Sequence, residues 1–440
     1  MPAHWQVEQT DIAAAAPLAA MDQEIETRLS HPLNSLPLAD LCGASTDIVI
    51  VCDRAPVDEA RFAILRGVLS HLERAGIAPD RVTLLIATLD DEPPAGAESL
   101  HSVGTALRRL GDYAGRIRIV QHDPEDVREL DDMGNFEGVP FTINYRAVEA
   151  DLLIAIYAME LGDDAYCAGS CATVTLGVVG ASTRRELRTT RFYDDCIEPS
   201  AHDLPLFQRV MREGARRAGL MFAIGALVDA EGRALAIRAG APANVDDALA
   251  DLARSLRESD VDAPIYDVVL AEPNWRGRAG GSLFDASLAA IHISLGRNPI
   301  LMRGGPLILP VERREDDSAP ARAFYDALVN APSPESVIKQ LQGRSLQAGE
   351  ARAYLLAHAM QRHRLIVAGP QRERLARDIH FLSSPSVREA AELAENFAGA
   401  HPRALIVRHA LSTMPVFRGP LFAPGPFEER ELVSPHWSWN

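Results

Sequence analysis

The sequence predicts two α/β domains with largely parallel sheets and a cleft between them. Three observations point there. At 440 residues the chain exceeds what one ordinary hydrophobic core supports, so it should divide. Short apolar, β-branched runs alternate with longer stretches of helical period, the pattern of strand–helix–strand units whose strands pair in parallel. The same alternation starts afresh near residue 263. Residues 1–262 are therefore expected to form an N-terminal α/β domain and residues 263–440 a C-terminal one, meeting near residues 255–270.

The elements follow in order. Asp47–Cys52 (DIVIVC) is a short apolar run and reads as a buried strand, followed by a loop Asp53-Arg54-Ala55-Pro56. Residues 58–75 carry a helical apolar period that Gly76 stops, and Arg81–Ala87 is the next strand. An acidic loop, Leu89–Pro94, comes after it. Ile117–Val120 is a third strand leading to His122-Asp123, and Thr142–Tyr145 and Asp151–Tyr157 read as further strands. Residues 166–181 (YCAGSCATVTLGVVGA) are rich in small side chains, which lets the backbone approach another surface closely. Residues 203–219 read as a helix and Leu220–Val228 as a strand. In the second half, Tyr266–Leu270, Pro299–Met302, Pro306–Val311, Arg364–Ala368 and Ala404–Val407 read as strands, with a Gly-rich loop at 271–281 and a helix at 283–295.

Composition narrows the function. Acidic residues outnumber basic ones, 61 to 44, for a net charge of -17, which disfavours non-specific binding to nucleic acid or an anionic membrane. No stretch approaches the roughly 20 apolar residues that span a bilayer. The N-terminal MPAHWQVEQTDIAAAAPLAAMDQEIE has no basic leader and only a short Ala-rich apolar part, unlike a signal peptide, so a cytoplasmic location is expected. The five cysteines, Cys42, Cys52, Cys167, Cys171 and Cys196, are odd in number and unevenly spaced, which suits reduced thiols better than a disulfide framework. There is a single lysine, Lys339.

Generic motifs are scarce. Neither G-x-x-x-x-G-K-[ST] nor G-x-G-x-x-G occurs, which excludes a P-loop and the common dinucleotide fingerprint. Cys167 and Cys171 lie four apart in the small-residue segment; they are either two small buried hydrophobes or a metal or redox pair. His122 ends a strand, where site residues gather in parallel sheets, and is either structural or catalytic. His358 and His363, five apart on a predicted helix, would lie on different faces and do not suggest a metal pair.

Several segments, taken in order, resemble the nickel-pincer lactate racemase (LarA) family. Val51-Cys-Asp-Arg-Ala-Pro56 is similar to that family's Asp-x-Thr-Arg-Pro loop in shortened form, and LSHLERAGIAPDRVTLLIAT (69–88) to its helix–turn–strand. His122-Asp123, FTINYRAVEADLLIAIYAME (141–160) and MREGARRAGLMFAIGALVDAEGRALAIRAG (211–240) continue the likeness. YDVVLAEP (266–273), SLFDASLAAIHIS (282–294) and MRGGPLILPVE (302–312) resemble the opening of its C-terminal domain. The likeness spans roughly residues 40–320.

That resemblance implies a racemase or related enzyme for a small 2-hydroxy acid. In the family, hydride passes to and from a lysine-tethered nickel-pincer nucleotide, histidines act as acid/base and nickel ligand, and an arginine holds the substrate carboxylate. Here the arginine falls on Arg54 and its acidic neighbour on Asp53, the implied substrate-binding pair. Asp91 falls where the family has a catalytic histidine, Gly162 where it has another, and Arg188 near its nickel-binding histidine. The tethering-lysine loop falls on Cys167–Ala172, and a Gln-x-x-Lys pair falls on Asp285 and Leu288. Between Asp123 and Ala201 there is no histidine and no lysine, so small shifts of alignment restore neither tether nor ligand.

The expectation is a divergent lactate-racemase-like protein. Its candidate catalytic residues are Asp91 and His122, its candidate carboxylate-binding residues Asp53 and Arg54, and Cys167 and Cys171 are candidate metal ligands. The covalent nickel-pincer nucleotide is not expected; a small carboxylate is the expected ligand. The alternatives are a non-catalytic paralogue that binds a small carboxylate or a partner protein, and an enzyme of another class using a different metal.

Overall fold

A computed structural model describes residues 1–12, 15–52, 59–88, 110–161, 169–197, 204–275, 278–279, 281–296, 299–312, 318–369 and 373–419. The fold is mixed α/β with two largely parallel six-stranded sheets, as expected. The chain opens with β1 (Gln6–Thr10), which is not part of the first sheet. That sheet is built from β2 (Ile48–Cys52), β3 (Val82–Ile86), β4 (Arg118–Gln121), and, after a hairpin of β5 (Leu130–Phe136) and β6 (Val139–Asn144), from β7 (Leu152–Glu160), β8 (Leu220–Val228) and β9 (Ala234–Gly240). Its order is β4-β3-β2-β7-β8-β9, parallel throughout except for β9, which runs antiparallel to β8.

Alternation along β2 shows why the sheet has helices on both faces. Ile48, Ile50 and Cys52 join one core, beneath the helices Met21–Ser30 and Glu59–Arg74. Val49 and Val51 join the other, beneath Ser170–Gly177, Leu206–Arg217 and Pro242–Arg257. A strand buried on both faces reads as a continuous apolar run, which is what made β2 visible in the sequence.

The second sheet contains β11 (Val268–Ala271), β14 (Pro306–Pro310), β15 (Arg364–Ala368), β16 (Leu382–Ser384) and β17 (Arg403–Val407), in the all-parallel order β1-β17-β11-β14-β15-β16. The first strand of the chain is thus an edge of the second sheet, and residues 11–20 cross to the first. The other crossing carries β10 (Glu258–Asp260), paired with β18 (Met414–Val416). A short pair, β12 (Asn274–Trp275) and β13 (Arg278–Ala279), lies between β11 and the helix Leu283–Leu295.

Two expected strands end differently. The run Thr142–Tyr145 stops as a strand at Asn144, whose side chain accepts from the Arg146 N–H at 3.1 Å and caps a short helix, Tyr145–Val148. Pro299–Met302 makes only an isolated bridge from Leu301 to Tyr266, because the Gly304-Gly305 turn follows at once.

The two halves touch through the segment after residue 187. Leu346 N–H donates to Arg188 O at 3.0 Å, Gly343 N–H to Thr190 Oγ1 at 3.0 Å, and the Tyr354 hydroxyl to Asp194 Oδ1 at 2.6 Å. Ile197 packs into the core of the second half. Among the described residues no helix is long and apolar enough to cross a membrane.

Candidate functional site

In an open parallel sheet, ligands bind outside the carboxyl ends of the strands where the order of connection reverses. In the first sheet that point lies between β2 and β7. β2 runs straight into Asp53-Arg54 and β7 ends at Glu160, ahead of the Cys167 loop. Asp53, Arg54, Asp91 and Cys167 themselves lie outside the described residues, so the structure supplies their approach rather than their contacts.

His122 follows β4 on the same edge and is fully buried. Its Nε2 donates to Val179 O at 2.9 Å, and its Nδ1 accepts from the Asn144 amide at 3.2 Å. A carbonyl only accepts, so the ring is the neutral Nε2–H tautomer with both nitrogens engaged. Burial pushes its pKa down to about 4. Around it, Thr88 Oγ1 donates to His122 O at 2.7 Å, and the Gln121 amide donates to Thr88 Oγ1 at 2.8 Å. The buried Arg184 donates to the carbonyls of Thr88 and Gly177. This network ties the β3 and β4 ends to the 177–180 turn and so shapes the edge from behind.

Cys171 sits in the first turn of the helix Ser170–Gly177 and is buried. Its thiol is pushed well above its usual range, first by burial and then by Asp246. It is held as the neutral thiol, whereas a metal needs the thiolate. Asp246 is the centre of this region. Its Oδ1 accepts from the Ser170 N–H at 2.7 Å and the Tyr157 hydroxyl at 2.9 Å, and its Oδ2 from the Cys171 N–H at 3.1 Å. The carboxylate is enclosed while one flank of the residue reaches solvent, and burial raises its pKa. Gly169, at φ 135°, allows the approach: a Cβ there would come within 2.8 Å of the Asp246 carboxyl carbon. A carboxylate thus fills the helix N-terminus beside the loop where the family has its lysine.

On the second half, Asp285 closes a capping box with Ser282, its Oδ2 accepting the Ser282 N–H at 2.9 Å, and Leu288 packs against the core. Neither offers the chemistry of Gln-x-x-Lys. The sole lysine, Lys339, is exposed on the helix Pro334–Leu341. Among the described residues no group of three or more His, Cys, Asp or Glu side chains is placed to hold a metal ion.

Residues 1–181 match the family model for the lactate racemase N-terminal domain. This is a lactate-racemase-like chain. Its fold is similar to the lactate racemase apoprotein of Thermoanaerobacterium thermosaccharolyticum, with a TM-score of 0.74 at 16% identity over 94% of this chain and 96% of that one. A protein from Thermotoga maritima is similar at a TM-score of 0.58 and 11% identity, over 92% of this chain and 100% of that one. No curated protein matches the sequence. In this racemase-like chain the sequence missed Asn144, Arg184 and Asp246. Asp246 lies 76 positions from Ser170, and nothing in its own helix marks it as a cap.

Proposed function

We propose that this lactate-racemase-like protein binds a small 2-hydroxy acid at the carboxyl ends of β2 and β7 and acts on it as a racemase, epimerase or related enzyme. The observation that carries this reading is the strand order, whose reversal sets the end of β2, and with it Asp53-Arg54, beside the end of β7. A guanidinium at such an edge grips a carboxylate through two parallel hydrogen bonds. His122 is a positioning residue in this reading: with both nitrogens engaged, it braces the edge that carries Asp91.

The residues present do not fit the family's tethered nickel-pincer nucleotide. The tether needs an amine nucleophile, and an arginine-rich chain with one exposed lysine in the other half offers none at the loop. The nickel ligand needs a neutral imidazole, and residues 124–201 contain none. The sealed His122 and the neutral Cys171 favour a second reading, a non-catalytic protein that binds the same carboxylate.

Arg54→Ala should weaken lactate binding by about 2–3 kcal/mol, thirty- to more than a hundredfold. Calorimetry on wild type and variant reads this directly, and equal affinity refutes the site. Deuterium uptake at the lactate α-carbon in D2O, or its racemisation, then separates an enzyme from a binder.

A further inference from the structure

The second sheet has its own point of reversal, between β11 and β17. Glu272 follows β11 there, Arg408 and His409 follow β17, and Asp11 follows the neighbouring β1. Four ionisable side chains from three separate strand ends meet at one edge. His409 Nδ1 lies 2.6 Å from Asp11 Oδ1, and Asp11 also accepts the Ile12 N–H at 2.8 Å, which fixes the carboxylate. His409 adopts a left-handed backbone, φ 47°, uncommon for a side chain of its size. The turn holds it there: the Ser412 and Thr413 N–H groups both donate to His409 O, at 2.7 and 2.9 Å. Arg408 lies 3.9 Å from Glu272, beyond hydrogen-bond reach, and its guanidinium makes no side-chain hydrogen bond among the described residues. All four side chains are well exposed. The edge faces the domain junction, for Ile12, next to Asp11, packs on the core of the first half.

An imidazole whose Nδ1 is held by a carboxylate presents a basic Nε2 of fixed direction. An arginine with unused N–H groups beside it suits a carboxylate. We propose that Asp11, His409 and Arg408 form a second small-molecule site, taking a hydroxy-carboxylate whose hydroxyl donates to His409 Nε2 and whose carboxylate pairs with Arg408. The site goes beyond the Arg54 reading and does not need it. A purely structural strap between β1 and β17 would explain the Asp11–His409 contact but not an open Nε2 and an unspent guanidinium at a crevice.

The test follows the histidine ring resonances of the full chain by NMR, assigning His409 by its loss in His409→Gln. Sodium lactate is titrated against sodium chloride at matched ionic strength. The His409 signal should shift saturably with lactate and not with chloride. Arg408→Gln should weaken that apparent affinity tenfold or more, and Asp11→Asn should weaken it with no change in melting temperature. Arg54→Ala should leave it unchanged. Lactate binding seen by calorimetry but silent at His409 overturns the second site and leaves the Arg54 site standing. A His409 shift abolished by Arg54→Ala overturns its independence. A shift that persists in Arg54→Ala, while calorimetry finds no Arg54-dependent binding, supports this site and refutes the other.

Discussion

Acidifying the protein from pH 7 to pH 4 should remove several kcal/mol of stability. Three histidines are buried in neutral form: His122 and His363 with pKa pushed down to about 4, and His292 to about 3 beside Arg257. In each the largest cause is burial, which disfavours the charged ring. In the unfolded chain a histidine binds its proton near pH 6.5, so the unfolded state gains protons first as the pH falls. The stability these rings contribute is fully present above about pH 6.5 and is lost as the pH falls through about 4. For His122 alone the 2.5-unit shift is worth about 3 kcal/mol. Carboxylates such as Glu213, held down to about 2 by hydrogen bonds from Arg216 and Arg217, lose their contribution at lower pH, so the two effects separate. Urea unfolding across this range measures the slope. His122→Gln should flatten it, and stability constant between pH 7 and 4.5 would contradict the assignment of neutral buried rings.

Asp246→Ala should cost about 3 kcal/mol or more. The carboxylate satisfies two backbone N–H groups at the start of Ser170–Gly177 and the Tyr157 hydroxyl. Removing it leaves three enclosed donors without a partner, each costing about 1–3 kcal/mol if water cannot reach it. Opening of the helix start to water offsets part of that sum. Asp246→Asn keeps the shape and part of the acceptor, so it should cost less than Ala. Tyr157→Phe removes one donor with its acceptor still served and should cost only about 1 kcal/mol. The order Ala, Asn, then Tyr157→Phe in denaturant unfolding is the signature of a buried cap. Equal small losses for all three would show that solvent already serves these groups.

The fold was legible because its strands are buried on both faces. β2, β7 and β8 are unbroken apolar runs, and periodic helices between them announce parallel pairing. What local pattern could not show was partnership at long range. β1 (QVEQT) alternates weakly and its residues are mostly polar, so nothing marked it as an edge strand of the distant second sheet. Asp246 looked like one of several acidic residues on an amphipathic helix, and Asp11 and His409 are 398 positions apart. His122 shows the limit from the other side. Its place at a strand end was readable, but its role depends on Asn144 and Val179, which reach it only through the folded hairpin and turn. Tether loss was readable from composition alone, because one lysine cannot be in two places.

The central claim is a lactate-racemase-like fold whose chemistry no longer runs through a lysine-bound cofactor. Co-expression with the enzymes that make the family's nickel-pincer nucleotide, followed by intact mass and lactate racemisation, tests it most directly. The account predicts the bare mass of the chain, 47.8 kDa, and no nickel-dependent racemisation of lactate. A mass increment on this chain together with racemase activity that tracks nickel content would contradict it.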